Sequence, residues 1–376
     1  GSRALWSLVV LCAGVMAMRR AAAAAAAATR RSFAAEALKV DATKVGHSGH
    51  LSAAAQAERA RAEAQPGAVT AAQRYLFDTN GYIVLRGVFS PEEVDAANEA
   101  VDNHLHTLHE RTGKLRCSGL YGRTSEPLAG DGTTGRSDMG GMLGWEQPYC
   151  DPFRSVLAHP RLTPMLHELL GVGYRLDHSP LLLHQRKGAE GHTLHGGAVT
   201  ESGEPAWPLL YFSMQGRMRT SLLTVCMQLT DTKPGDGGFC VVPGSHKSTY
   251  PVPPELADFA EYQEVVQQPT PMKGDVLIFT EAVLHGTLPW ASEDERRTVI
   301  YRFAPAGMAY GRGYMPSWPE SFYKGATDAQ KAVLEGPYNP RMNRPFLTNA
   351  AEHQRPRARE AFKVEFDERV FGSRYY

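Results

Sequence analysis

Two histidines ninety residues apart stand in strand-like settings: His195 opens His195-Gly196-Gly197, and His285 closes the apolar run Asp275–Leu284 that follows Lys273-Gly274. Arg296 and Arg297 lie eleven and twelve residues beyond His285. Imidazoles suit a divalent transition metal, and a mononuclear iron(II) oxygenase needs two of them, usually one carboxylate, and open positions for O2. It also needs a cation to hold a keto-acid cosubstrate, for which an arginine is suited. Every part of that set is present except the carboxylate.

Composition narrows the alternatives. The 376 residues suffice for one large β-rich domain, and 40 basic residues balance 40 acidic ones, so no electrostatic footprint for nucleic acid is present. The five cysteines, Cys12, Cys117, Cys150, Cys226 and Cys240, are scattered and lack C-x-x-C spacing. They read as ordinary thiols of a reducing compartment, neither a disulfide frame nor a zinc site.

The first 35 residues hold no Asp or Glu but carry Arg3, Arg19, Arg20, Arg30 and Arg31, with eight alanines from Ala21 to Ala28. An arginine-rich, acid-free start resembles an organelle transit peptide, mitochondrial or plastid; the alternative is a low-complexity tail on a cytoplasmic protein. Leu5 to Met18 is apolar but short for a bilayer, so no stable span is expected in the mature chain. Residues 1–66 are read as leader and disordered linker, 67–345 as the catalytic domain, and 346–376 as an extension packing on it.

The elements that must position the histidines follow from patterning. Tyr82–Val88 reads as a strand, and Ser90-Pro91-Glu92-Glu93 supplies an N-cap, a proline at the first helical position and a capping-box glutamate. Val94, Ala97, Val101, Leu105 and Leu108 then recur at helical spacing, and a second helix is expected over Pro152–Leu170. From Tyr174 to Pro305 short apolar runs alternate with Gly, Pro and Asp: Leu181–His184, Ser221–Leu229, Gly238–Val242, Asp275–Phe279 and Thr298–Phe303. That texture predicts a mainly β domain with flanking helices, a sandwich or jelly roll.

Three stretches carry a resemblance to the phytanoyl-CoA dioxygenase family. They are Asn80–Ser90, then Gly235-Asp236-Gly237-Gly238-Phe239 running into Val242-Pro243-Gly244-Ser245-His246-Lys247, and Gly274-Asp275-Val276 through His285-Gly286-Thr287 to Arg296. The resemblance covers about residues 72–305 and implies a double-stranded β-helix (jelly roll, cupin-like) that uses Fe(II), 2-oxoglutarate and O2. It implies that His195 and His285 hold the iron and that Arg296 holds the distal carboxylate of 2-oxoglutarate. Thr298, on the same strand face, and Gln185 are expected to assist.

The departure lies at Gly197, where the family pattern His-x-Asp has its aspartate. A hydroxylase with water in that position, a carboxylate reaching in from Glu281 or Asp236, a radical halogenase holding chloride there, and a non-catalytic scaffold on the same fold all remain open. Hydroxylation of an unactivated C–H in a small-molecule or lipid-like substrate, releasing succinate and CO2, is the leading expectation. His192, His178 and His184 are weaker metal or pocket candidates, and His246 is read as a turn residue. Trp290 and Tyr211 are candidate pocket walls, and Arg297 is expected to face outward. Substrate identity and oligomeric state are not legible.

Overall fold

Short alternating apolar runs need a covered face on each side, and the computed structural model of the chain provides this with two facing sheets. The structure describes residues 46–48, 69–117, 125–214, 216–311, 317–339, 344–347, 355 and 359–372. The stretch expected as leader and linker, residues 1–66, lies outside the described residues except for Gly46–Ser48.

In chain order the strands begin with β1 (Gly46–Ser48), β2 (Tyr82–Leu85), β3 (His109–Glu110), β4 (Ser137–Gly140) and β5 (Arg175–Gln185). They continue with β6 (His192–His195), β7 (Tyr211–Met214), β8 (Arg217–Thr220), β9 (Leu223–Gln228) and β10 (Gly238–Val241). The last are β11 (Gln267–Pro269), β12 (Val276–Thr280), β13 (His285–Leu288) and β14 (Arg296–Ala304). One sheet has the order β2-β12-β9-β14-β5-β4-β3 and the other β1-β11-β10-β13-β6, with β7 and β8 forming a separate hairpin. Pairing is antiparallel except for β1, which runs parallel to β11. That strand falls in the stretch expected as linker.

Because strand side chains alternate between faces, parity tells which residues look into the space between the sheets. On the outer face of the larger sheet Val225, Met227, Val276, Ile278, Val299, Tyr301 and Phe303 join one core with Phe77, Val94, Val101, Leu166 and Leu169 from the helices. The inner cluster is built from Cys226, Phe239, Val241, Leu277, Phe279 and Val283, with Ile300 against it. Both faces of β9 are therefore covered, and all six of its residues are buried. This is the expected jelly roll with helices outside.

Helices α1 (Ala71–Asn80) and α2 (Pro91–Asn103) flank β2, and both carry capping boxes, Thr70 with Gln73 and Ser90 with Glu93. The second matches the reading of Ser90-Pro91-Glu92-Glu93, whereas α1 has no counterpart among the expected elements. The single helix expected over Pro152–Leu170 is divided into α3 (Asp151–Ser155), a 3-10 turn and α4 (Thr163–Leu170). Pro160 is the physical reason: its ring pushes the preceding residue, His159, to an extended ψ of 128° and interrupts the helical ladder. Beyond the barrel, Trp318, Phe322, Val333 and Leu334 return to the main core. Among the described residues, no helix is long and apolar enough to cross a membrane.

Candidate active site

Register assembles the site. His195, the last residue of β6, is the cross-strand partner of His285, the first of β13. Their ring centroids are 4.3 Å apart. Each ring is fixed by a backbone carbonyl: His195 Nδ1 donates to Thr193 O (2.9 Å) and His285 Nδ1 to Val283 O (2.8 Å). A carbonyl only accepts, so Nδ1 carries the proton and Nε2 keeps its lone pair in the neutral ring. Burial, and then the neighbouring His285, push the His195 imidazole down to about 3. Burial also lowers that of His285. Both rings are thus neutral donors at neutral pH, the form a metal takes.

The loop after His195 depends on Gly196 for a close backbone approach. A Cβ on Gly196 would lie 2.7 Å from the carbonyl oxygens of both Glu281 and Val283, and its φ is +93°. Only glycine allows this backbone approach, which brings β6 up to the turn ahead of β13. Gly197 differs: at φ +96° a Cβ would meet nothing nearer than Val199 O at 3.8 Å.

A second cross-strand pair lies further along the inner face. Arg296 on β14 is opposite Gln185 on β5 and donates through Nη1 to Gln185 Oε1 (2.6 Å). Arg296 as a residue is 4 % exposed. Among the described residues its hydrogen-bond partner is this neutral oxygen, and no carboxylate is paired with it. Burial pushes the group down to about 10, still charged at neutral pH. A buried charge without an opposite charge is costly, and the cost is relieved if an anion enters. Two residues on, Thr298 donates its hydroxyl to Gln228 Oε1 (2.9 Å), its register partner on β9.

Glu281 lies in the turn between β12 and β13, so the apolar run ending at His285 is not one continuous strand. Its carboxylate is nevertheless beside the pair, with Oε2 3.6 Å from His285 Nε2. Oε1 accepts from Arg302 Nε (2.8 Å) and from the Thr224 hydroxyl. Burial would raise this carboxyl, but the charge of Arg302 foremost, with the hydrogen bonds from Thr224 and Arg302, outweighs it and holds it down to about 2. Asp236, the other surrogate considered, caps the backbone N–H of Lys233 in its own turn (2.7 Å) and is committed there. Among the described residues no three His, Cys, Asp or Glu side chains form a metal-sized cluster.

The weaker candidates separate cleanly. His192 hydrogen-bonds Thr193 O and packs 4.4 Å from His195, centroid to centroid. His178 pairs with Asp177, and His184 with Glu295. His246 bonds the carbonyl of Asp78, tying its turn to α1. Trp290 donates to Asp294 O and Tyr211 to Asp78, so both are held by the scaffold. Arg297 faces outward to Asp102 and Glu295. Phe279 and Phe239 flank His285 at 4.5 and 6.1 Å. Gln228, Thr224 and Arg302 had no motif to mark them; strand parity counted from Arg296 and the β9 register would have found all three.

The donor set fits a divalent iron and a 2-oxoglutarate: two imidazoles with bare Nε2 atoms, and a buried guanidinium lacking an anion. The sequence profile of the phytanoyl-CoA dioxygenase (PhyH) family matches residues 77–298, more than half of the chain. Among solved structures, HygX from Streptomyces hygroscopicus with nickel and 2-oxoglutarate bound is 22% identical with a TM-score of 0.51. The alignment covers 64% of this chain and 89% of HygX. The same protein with iron bound aligns at a TM-score of 0.50 over the same shares, also at 22% identity. That likeness shows a shared fold. No curated protein matches the chain.

Proposed function

The chain belongs to the phytanoyl-CoA dioxygenase (PhyH) family of oxygenases, and from that premise we propose that it oxidises an unactivated C–H bond of a small-molecule substrate by hydroxylation. Iron(II) with 2-oxoglutarate would supply the oxidising power, consuming O2 and releasing succinate and CO2. His195 and His285 would hold the metal through Nε2, their Nδ1–carbonyl bonds keeping tautomer and orientation fixed. Arg296 would grip the distal carboxylate of 2-oxoglutarate with its planar fork, oriented by Gln185. Thr298 and Gln228 would stand along the same wall. Phe239 and Phe279, packed beside His285, would exclude water from that side and so protect a reactive centre from side reactions.

The observation that carries this reading is the buried Arg296 guanidinium paired with a neutral amide oxygen on the inner face shared with the histidine pair. The test is turnover of 2-oxoglutarate to succinate under O2 with added iron(II), compared between the wild type, His285→Ala and Arg296→Ala. Wild-type turnover that both substitutions remove supports the reading; equal succinate in all three contradicts it.

One observation favours a second outcome for the same centre. A Cβ on Gly197 would meet nothing nearer than Val199 O at 3.8 Å, and with no side chain there to offer the iron a carboxylate, a halide is the alternative occupant. Mass spectrometry of products formed with and without chloride separates hydroxylation from halogenation. We read the arginine-rich, acid-free first 35 residues as an organelle leader, followed by a linker to residue 66, which cell fractionation with N-terminal sequencing of the mature protein tests.

A further inference from the structure

We propose that the carboxylate of Glu281 is the third protein ligand of the iron, taking the part that the side chain at position 197 cannot. The proposal rests on the reading of His195 and His285 as ligands.

Glu281 is built into the site from three sides. Its side chain is 8 % exposed, unusual for a glutamate on a turn. Thr224 and Arg302, which both donate to Oε1, are themselves register partners on β9 and β14. The fork that receives the carboxylate is therefore made by the sheet and does not depend on a loop. With both donors on Oε1, Oε2 is left facing His285 Nε2 at 3.6 Å.

That contact is the decisive feature. The Nδ1 proton of His285 goes to Val283 O, so a neutral ring offers Glu281 a lone pair, and the carboxylate oxygen offers another. Two such acceptors at this separation are held together by a cation between them, a proton on Nε2 or a metal ion. The bland alternative is a structural Glu281–Arg302 ion pair that happens to pass the histidine. As placed, Glu281 meets His285 alone, and the proposal requires its free oxygen to close on the pair when metal enters. A glutamate there would restore two imidazoles and one carboxylate, the usual set of an iron(II) oxygenase, and would leave no charge for a halide to supply.

Cobalt(II), titrated anaerobically into full-length protein without 2-oxoglutarate, tests this by binding alone. Wild type, His195→Ala, Glu281→Gln and Arg302→Gln are compared for dissociation constant and for the intensity of the cobalt ligand-field bands. The expected result is that Glu281→Gln weakens cobalt binding by more than about hundredfold, beyond the roughly 10–100-fold that the loss of an outer-shell partner commonly brings. Arg302→Gln, which breaks the ion pair and spares the carboxylate, is expected to cost less, within the roughly 10–100-fold of an outer-shell partner. Equal losses in these two variants would overturn the proposal in favour of the structural ion pair. If His195→Ala loses cobalt and Glu281→Gln does not, the proposal falls and the histidine site stands. If His195→Ala binds as wild type does, the histidine reading falls and takes the proposal with it. Should Glu281→Gln fail to fold, infrared difference spectra of wild type on cobalt loading decide: a shifted carboxylate stretch supports the proposal, and an unshifted one overturns it.

Discussion

Arg296 and Gly196 show how single residues set the terms of this site. The Arg296 guanidinium is buried with one neutral acceptor, so removing it should cost 2-oxoglutarate most of its hold. Truncating one partner of a buried charge pair typically costs about 2–5 kcal/mol. We therefore expect Arg296→Ala to raise the 2-oxoglutarate dissociation constant by at least about thirtyfold while cobalt binding without cosubstrate is kept, both measurable by calorimetry. At Gly196 a methyl would fall 2.7 Å from two carbonyl oxygens at a φ of +93°. Gly196→Ala should destabilise the fold by about 2 kcal/mol or more and weaken metal binding, because the methyl pushes β6 off the turn before β13. Thermal unfolding beside a cobalt titration checks both effects. Much at this scale was legible beforehand. His195, His285 and Arg296 were marked by flanking residues, and Glu281 by its distance from His285. Gln228, Thr224 and Arg302 were not, since a polar residue on a strand has no mark of function until the register shows what it faces.

The elements hold these residues through a few buried polar joints. Asp275 opens β12, and its carboxylate takes Arg86 Nη1 (2.7 Å) together with the backbone N–H groups of Gly87 (2.7 Å) and Met272 (2.8 Å). Arg86 and Asp275 are 3 % and 0 % exposed in their side chains, so this pair ties β2 to β12 inside the protein. Removing one member of such a pair strands the other, and Asp275→Ala should lower the unfolding free energy by about 3–5 kcal/mol in urea denaturation. A change below about 1 kcal/mol would mean that water reaches Arg86. On α4, His167 is buried with neither ring nitrogen bonded, and burial pushes it down to about 4. As pH falls below the unfolded value near 6.5, the unfolded chain takes the proton first, so stability is lost between 6.5 and 4. His167 should account for about 2 kcal/mol of loss by pH 5. His167→Phe should flatten that slope in denaturation curves at pH 7 and pH 5; an unchanged slope would contradict the assignment. The capping box at Ser90 was readable because it is a local device. The division of the helix expected over Pro152–Leu170 was overlooked although Pro160 was in plain view, and α1 went unnoticed because only Phe77 among its ten residues is buried, which leaves no helical repeat of core positions to read.

At the largest scale the described residues form a sandwich whose larger sheet is armoured by helices on one side and chemically equipped on the other. Period-two alternation makes this possible: Val299, Tyr301 and Phe303 hold β14 to the helical layer, while Arg296, Thr298 and Arg302 look inward. The jelly roll could be expected from strand spacing, but which strands pair depends on long-range register, and neither parity nor composition reveals that His195 stands opposite His285. The central claim is that this pair and Arg296 form one metal and 2-oxoglutarate site. Anaerobic titration of the wild type with iron(II) and 2-oxoglutarate, followed by visible absorption, tests it most directly. The account predicts a metal-to-ligand charge-transfer band that is absent in His285→Ala and that needs far more 2-oxoglutarate in Arg296→Ala. A wild-type protein that develops no band at saturating iron and cosubstrate would contradict it.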